Sequence, residues 1–245
     1  MPQELSSTRR DFVRMSAVAG TGILVAGLSG HAVAEEKAGE KDPKKGAAAA
    51  DEGVSPPEDL MREHGVLKRL LLVCGESVRL IESKQDLPVD ALQNAAQLIR
   101  SFVEDYHEKL EENFLFPRFR KANKLVELVD VLKKQHDAGR RATDVILRLA
   151  NVNGLKDTDD RAKLAGAMTQ FIRMYNPHEA REDTVLFPAF RAVVSKNEFD
   201  ALGEDFEKEE DKRFGEDGFF KVVDQVAAIE KTFDIYDLAQ FTPQF

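Results

Sequence analysis

Cysteine occurs once in this chain of 245 residues, at Cys74, and tryptophan does not occur at all. One cysteine excludes an internal disulfide framework, a four-cysteine structural zinc site and an iron–sulfur cluster held by this chain alone. The missing tryptophan, with aromatics at 8%, argues weakly against a sugar-binding cleft. A basic excess is also missing: the net charge is -9, with acidic residues spread along the chain, which speaks against a nucleic-acid-binding footprint. Strand signals are nearly absent, and no run approaches the ~20 strongly apolar residues of a membrane span. What is present is an apolar fraction of 42%, enough for a core and against wholesale disorder. There are also five histidines, four of which form a pattern.

The N-terminus places Arg9-Arg10 ahead of an uncharged, Gly- and Ala-rich run from Met15 to Gly30, closed by Ala32-Val33-Ala34. Residues 1–34 resemble a twin-arginine signal peptide with a small-x-small cleavage site. The run is shorter and more polar than a membrane anchor needs. The expectation is export through the twin-arginine translocation machinery to a periplasmic or extracellular location, with no stable membrane span in the mature chain. His31 leaves with the signal.

Residues 35–56 are charged, Ala- and Gly-rich and without apolar periodicity, as in a disordered linker. Amphipathic helices are expected over about 57–84, 89–113, 123–150 and from near Asp159 past His178. The pair Asn176-Pro177 is expected to kink or restart the last of them. Short loops, among them Asn151–Gly154, predict an all-α fold: an antiparallel four-helix bundle over 57–195 with an internal two-fold repeat. A C-terminal helical extension, 196–245, adds two helices at about 196–213 and 218–233, broken by Gly215 and Gly218. Its acidic run Glu204–Asp211 reads as a solvated face.

The chemistry lies in a repeat. The segment from His107 to Phe119 and the segment from His178 to Phe190 both fit H-E-x-x-E-[ED]-x-x-L-F-P-x-F, 71 residues apart, and His64 and His136 are 72 apart. Positions i and i+4 of a helix differ by about 40° around its axis, so His107 and Glu111 share a stripe, as do His178 and Glu182. Four facing helices then present four imidazoles and two carboxylates, three ligands for each of two cations. This mixture of imidazole and carboxylate suits iron, with manganese or zinc as alternatives. Glu112 projects about 140° from His107 and reads as solvated; Asp183 is less clear. Glu108 and Glu179 read either as partners orienting imidazole N–H groups or as exposed carboxylates. The L-F-P-x-F runs read as core and helix-stop signals, Cys74 as a small buried hydrophobe, and Tyr106 as facing away from the histidines.

The order His64, His107-x-x-x-Glu111, His136, His178-x-x-x-Glu182 resembles the hemerythrin-like HHE cation-binding domain. The resemblance covers about 57–195 and implies a four-helix bundle around a non-haem di-iron centre, with His64, His107, Glu111, His136, His178 and Glu182 as metal ligands. Classical members carry a second histidine one turn after the third-helix histidine, where this chain has Arg140. Their fourth-helix carboxylate comes five residues after its histidine, which selects Asp183, whereas the internal repeat selects Glu182. With one imidazole fewer, the site is expected to be more open and better suited to reaction than to reversible carriage. Arg140 reads as a partner for a bridging carboxylate, an anion-attracting group or a surface arginine. A ferritin-like centre needs Glu-x-x-His on two helices; Glu104 and His107 supply one, and Tyr175 breaks the other.

The preferred function is an exported di-iron protein binding dioxygen or a related small oxidant. Consumption of peroxide or nitric oxide at the same centre, and redox-inactive cation binding or storage, are the competing readings. A sensor role is disfavoured, because no kinase, cyclase or methyl-accepting segment is present.

Overall fold

The computed structural model describes residues 54–151 and 155–244. The expected signal peptide, nearly all of the linker and loop residues 152–154 lie outside the described residues. The described residues are all-helical, with six helices and no strand. None of these helices is long and apolar enough to cross a membrane.

Helix α1 (Pro56–Glu82) opens on prolines at its first turn, and the Glu58 carboxylate accepts from the Ser55 backbone N–H and hydroxyl. Those contacts satisfy groups that a helix start leaves without partners. Helix α2 is one continuous run over 89–121, interrupted by two wide turns at Ile99–His107 and Glu111–Leu115. Helix α3 spans Val126–Leu149. Helix α4 covers 158–190 and starts on Asp157, whose carboxylate accepts from the Asp159 and Asp160 N–H groups; it has one wide turn at Glu182–Leu186. Helices α5 (Lys196–Phe214) and α6 (Gly218–Thr232) follow.

Of the kink or restart expected at Asn176-Pro177, the restart does not occur: Pro177 lies inside Thr158–Arg181. Nor do the L-F-P-x-F runs stop their helices: α2 continues through Pro117 to Lys121, and α4 through Pro188 to Phe190. Each proline follows a turn in which the N–H of Phe116 or Phe187 bonds the carbonyl five residues back, on Glu111 or Glu182. The ladder has therefore already left the i to i−4 pattern that proline disrupts. The Arg118 guanidinium donates to the Phe114 carbonyl at 2.6 Å, satisfying one group there.

Helix α1 packs on α2 and α4, and α3 packs on α2 and α4. Their contact faces are apolar and buried, including Leu60, Leu67, Leu71 and Cys74 of α1, Phe102 of α2, Leu132 and Ile146 of α3, and Met168 and Phe171 of α4. The L-F-P-x-F residues Leu115, Phe116, Phe119, Leu186, Phe187 and Phe190 belong to the same core. The C-terminal helices add a second layer: α6 packs on α1 and α2, and α5 on α6 and α1.

Candidate metal centre

Within this apolar frame lie six polar side chains that burial alone would forbid. His64 of α1, His107 and Glu111 of α2, His136 of α3, and His178 and Glu182 of α4 are each at most 3% exposed. Ligand-capable atoms of His64, His107 and Glu111 lie within 4.8 Å of one another, and so do those of His136, His178 and Glu182. Within the second trio His136 Nε2 and His178 Nε2 are 3.2 Å apart, and within the first the His64 and His107 ring centroids are 4.8 Å apart.

Each carboxylate reaches both trios. Glu111 lies 3.9 Å from His107 Nε2 through one oxygen and 3.3 Å from His136 Nε2 through the other. Glu182 Oε2 lies 3.1 Å from His178 Nε2 and 3.5 Å from His64 Nε2. All four oxygens of Glu111 and Glu182 are buried without a hydrogen-bond partner. Buried carboxylate oxygens are almost always satisfied, so this concentration of orphaned acceptors facing imidazole nitrogens fits a cation as the missing partner.

The outward sides of the rings are fully engaged. His64 Nδ1 meets Asp183 at 2.7 Å, His107 Nδ1 meets Glu63 at 2.8 Å, His136 Nδ1 meets Glu112 at 3.1 Å and His178 Nδ1 meets Gln135 at 2.8 Å. Carboxylate and amide oxygens accept, so the N–H sits on Nδ1 and the Nε2 lone pair points inward in the neutral ring. This is the orientation that metal-ligating histidines use. Phe187 stacks on His64 at 5.4 Å and Phe116 on His136 at 5.5 Å, shielding the rings from water.

The electrostatics reflect crowded like charges. Burial first, then the Glu182 charge, pushes Glu111 well above the usual carboxylate range. Burial would raise Glu182 too, but the nearby His178 and then His64 imidazoles hold it low. Burial disfavours the His64 imidazolium, yet its hydrogen bond with Asp183 and then the nearby Glu182 carboxylate outweigh that and bring its pKa up to about 10. Burial pushes His136 down to about 4, against the pull of Glu112.

The surrounding residues correct several sequence readings. Glu112 is not solvated: it accepts from His136, Lys109 and Arg140. The wide turn at Glu111–Leu115 departs from the regular spacing on which that projection relied. Glu182 faces the imidazole Nε2 atoms, while Asp183 stands behind His64. Glu108 and Glu179 are buried, and neither orients an imidazole. Glu108 takes the Tyr175 hydroxyl at 2.6 Å and Arg140 at 2.6 Å, and Glu179 pairs with Lys68 at 3.1 Å. Arg140 is held by Glu108, Glu112 and Asp137 and pairs with neither central carboxylate. Tyr106 does not turn away, since its hydroxyl donates to Glu63 at 3.0 Å. Glu104 bonds Thr143 and pairs with Arg100, away from the trios, which removes the ferritin-like pattern. Cys74 is a buried core residue whose thiol burial pushes up to about 12.

Glu63 and Gln135 were missed by the sequence reading. Each directly precedes a repeat histidine, His64 or His136, which is a visible signal. Each nevertheless serves a histidine on a different helix, and only packing reveals that.

The model of the hemerythrin HHE cation binding domain matches residues 55–154. The matched stretch contains His64, His107, Glu111 and His136 and ends before His178 and Glu182. Relatives from Mycobacterium bovis and Mycobacterium tuberculosis, each named uncharacterized protein, are 52% identical over 190 residues, covering 78% of this chain and 74% of the relative. No solved structure matches the chain significantly.

Proposed function

Because the chain belongs to the hemerythrin HHE cation-binding family, we propose that it is an exported protein holding two non-haem irons and binding dioxygen or a related small oxidant. His64, His107, Glu111, His136, His178 and Glu182 are the proposed ligands. The observation that carries the proposal is the set of four orphaned oxygens of Glu111 and Glu182, each carboxylate within 3.9 Å of imidazole Nε2 atoms from both trios. When bound, a pair of irons would supply electrons and open coordination positions for a small oxidant.

The chain's own residues divide the remaining tasks. Glu111 and Glu182 each span the two trios and would hold the cations at a common spacing. Asp183, Glu63, Glu112 and Gln135 hold the four Nδ1–H groups, which keeps each Nε2 free to coordinate. Phe116 and Phe187, stacked on His136 and His64, exclude bulk water.

We further read α1 to α4 as an antiparallel four-helix bundle made of two copies of one unit. Matched pairings support this: His136 meets Glu112 as His64 meets Asp183, and Arg140 pairs with Glu108 as Lys68 pairs with Glu179. Export by the twin-arginine route rests on residues 1–34; fractionation of cells expressing the Arg9→Lys, Arg10→Lys variant should find the protein retained in the cytoplasm.

The deciding experiment measures metal content and optical absorption of the natively exported protein, before and after oxygen is added to the reduced form. About two irons per chain, from three ligands for each cation, with oxygen-dependent near-ultraviolet and visible absorption, is the expected result. Zinc, or less than one metal with no such bands, overturns it and leaves redox-inactive cation binding. Placing Arg140 where a fifth histidine would stand favours consumption of peroxide or nitric oxide as the second reading. Peroxide turnover that is lost in Glu111→Ala would establish it.

A further inference from the structure

The four imidazoles are not backed alike. In the first trio, His64 and His107 donate to two carboxylates, Asp183 at 2.7 Å and Glu63 at 2.8 Å. In the second, His178 donates to the neutral amide of Gln135 at 2.8 Å. His136 there meets Glu112 at a longer 3.1 Å, and that carboxylate is already balanced by Lys109 at 2.6 Å and Arg140 at 2.8 Å. Glu63 and Gln135 hold corresponding places, each one residue before a repeat histidine. The two sides thus differ at that position by a single functional group, a carboxylate against an amide.

A negative acceptor behind an imidazole makes its Nε2 a stronger donor and favours positive charge in front of it; an amide holds the ring's orientation but adds no charge. We propose that the centre is electrostatically two-sided. The place formed by His64, His107 and Glu111 binds its cation more tightly and favours the higher oxidation state, and Gln135 is the positioning residue that keeps the His136, His178 and Glu182 place weaker. The inference rests on the two-cation reading above. It makes loading stepwise, with the second place the last filled and the first emptied.

The test is an anaerobic titration of the metal-free mature protein with cobalt(II) alone, in competition with a chromophoric chelator and followed by cobalt absorption. The wild type should bind two ions in steps separated by about tenfold or more, and His178→Ala should lose the weaker step while keeping the tighter one. Outer partners of ligating histidines typically change metal affinity by about 10–100-fold. Gln135→Glu should therefore tighten the weaker step by a factor in that range and leave the tighter one in place. Glu63→Gln should loosen the tighter step by a similar factor and shift its cobalt spectrum. It also serves as an independent variant if Gln135→Glu does not fold. Two equal steps in the wild type, or a Gln135→Glu variant whose weaker step does not move, overturns the two-sided centre while leaving the two-cation reading intact. Uptake of fewer than two ions by the wild type overturns that reading and this inference together.

Discussion

His107 shows how strongly one side chain is tied into its surroundings. It gives Nδ1–H to Glu63 and turns Nε2 toward Glu111, and it is 3% exposed. Replacing it removes a proposed ligand and one of the donors to the buried Glu63 carboxylate, so affinity and folding should fall together. In His107→Ala, metal per chain should drop, and the gap between the metal-loaded and chelated melting temperatures should shrink; metal analysis and calorimetry check both. Glu104, outside the centre, gives a pH prediction. Burial pushes its carboxyl from 4.5 up to about 7, against the Thr143 hydrogen bond and the nearby Arg100 and Arg140 charges. A raised folded pKa means that folding takes up a proton. The stability from this group is complete below 4.5 and is lost as pH rises through 7. Unfolding free energies of Glu104→Gln, measured in urea, should therefore fall less than those of the wild type between those two pH values.

At the scale of the helices, the wide turns place the polar residues. Glu111 and Glu182 each open such a turn, and Pro117 and Pro188 follow directly after. Regular α-helical spacing correctly put the histidines and these carboxylates on one stripe. It misplaced Glu112, because the ladder shifts register at the next residue. A second close fit occurs where α3 meets α4. A Cβ on Gly139 would overlap the Tyr175 hydroxyl and lie within 2.9 Å of its ring carbons. Tyr175 is 1% exposed and hydrogen-bonded to Glu108, so it cannot easily swing aside. Alanine is normally better than glycine in a helix by about 1 kcal/mol, yet overpacking typically costs about 1–3 kcal/mol. Gly139→Ala should therefore destabilise by up to about 2 kcal/mol in urea unfolding. Adding Tyr175→Phe should recover part of that loss, which a double-mutant cycle would register as coupling.

For the whole molecule, the C-terminal pair is structurally joined to the site-bearing helices. Arg69 of α1 grips Glu230 of α6 through two nitrogens, at 2.9 and 2.5 Å. Phe214 of α5 packs edge-on against Tyr106 at 5.3 Å, and the Tyr106 hydroxyl reaches Glu63, which holds His107. The acidic run Glu204–Asp211 is accordingly more than a solvated face: Phe206 is fully buried, and Glu210 accepts the Phe219 N–H at 2.8 Å. Phe206→Ala should cost about 3–5 kcal/mol of unfolding free energy, the usual range for a buried aromatic. If α5 and α6 were a detachable appendage, the main unfolding transition would be unchanged in that variant.

The sequence alone determined the helical class, the six helices to within a few residues apart from the ends of α2 and α4, and the stripe that joins His107 to Glu111 and His178 to Glu182. Those are properties of helical period, capping residues and breakers, which act over a few neighbouring positions. Only the tertiary structure decided which atoms face one another. It turned Glu182 toward the imidazoles and set Asp183 behind His64, folded Arg140 onto Glu108 and Glu112, brought Tyr106 in to Glu63, and gave Glu63 and Gln135 their histidines. Apart from the local contact of Glu182 with His178, these pairings join residues 28 to 119 positions apart. Buried polar groups must find partners wherever the packing of helices places them, and no local pattern in the chain encodes that choice.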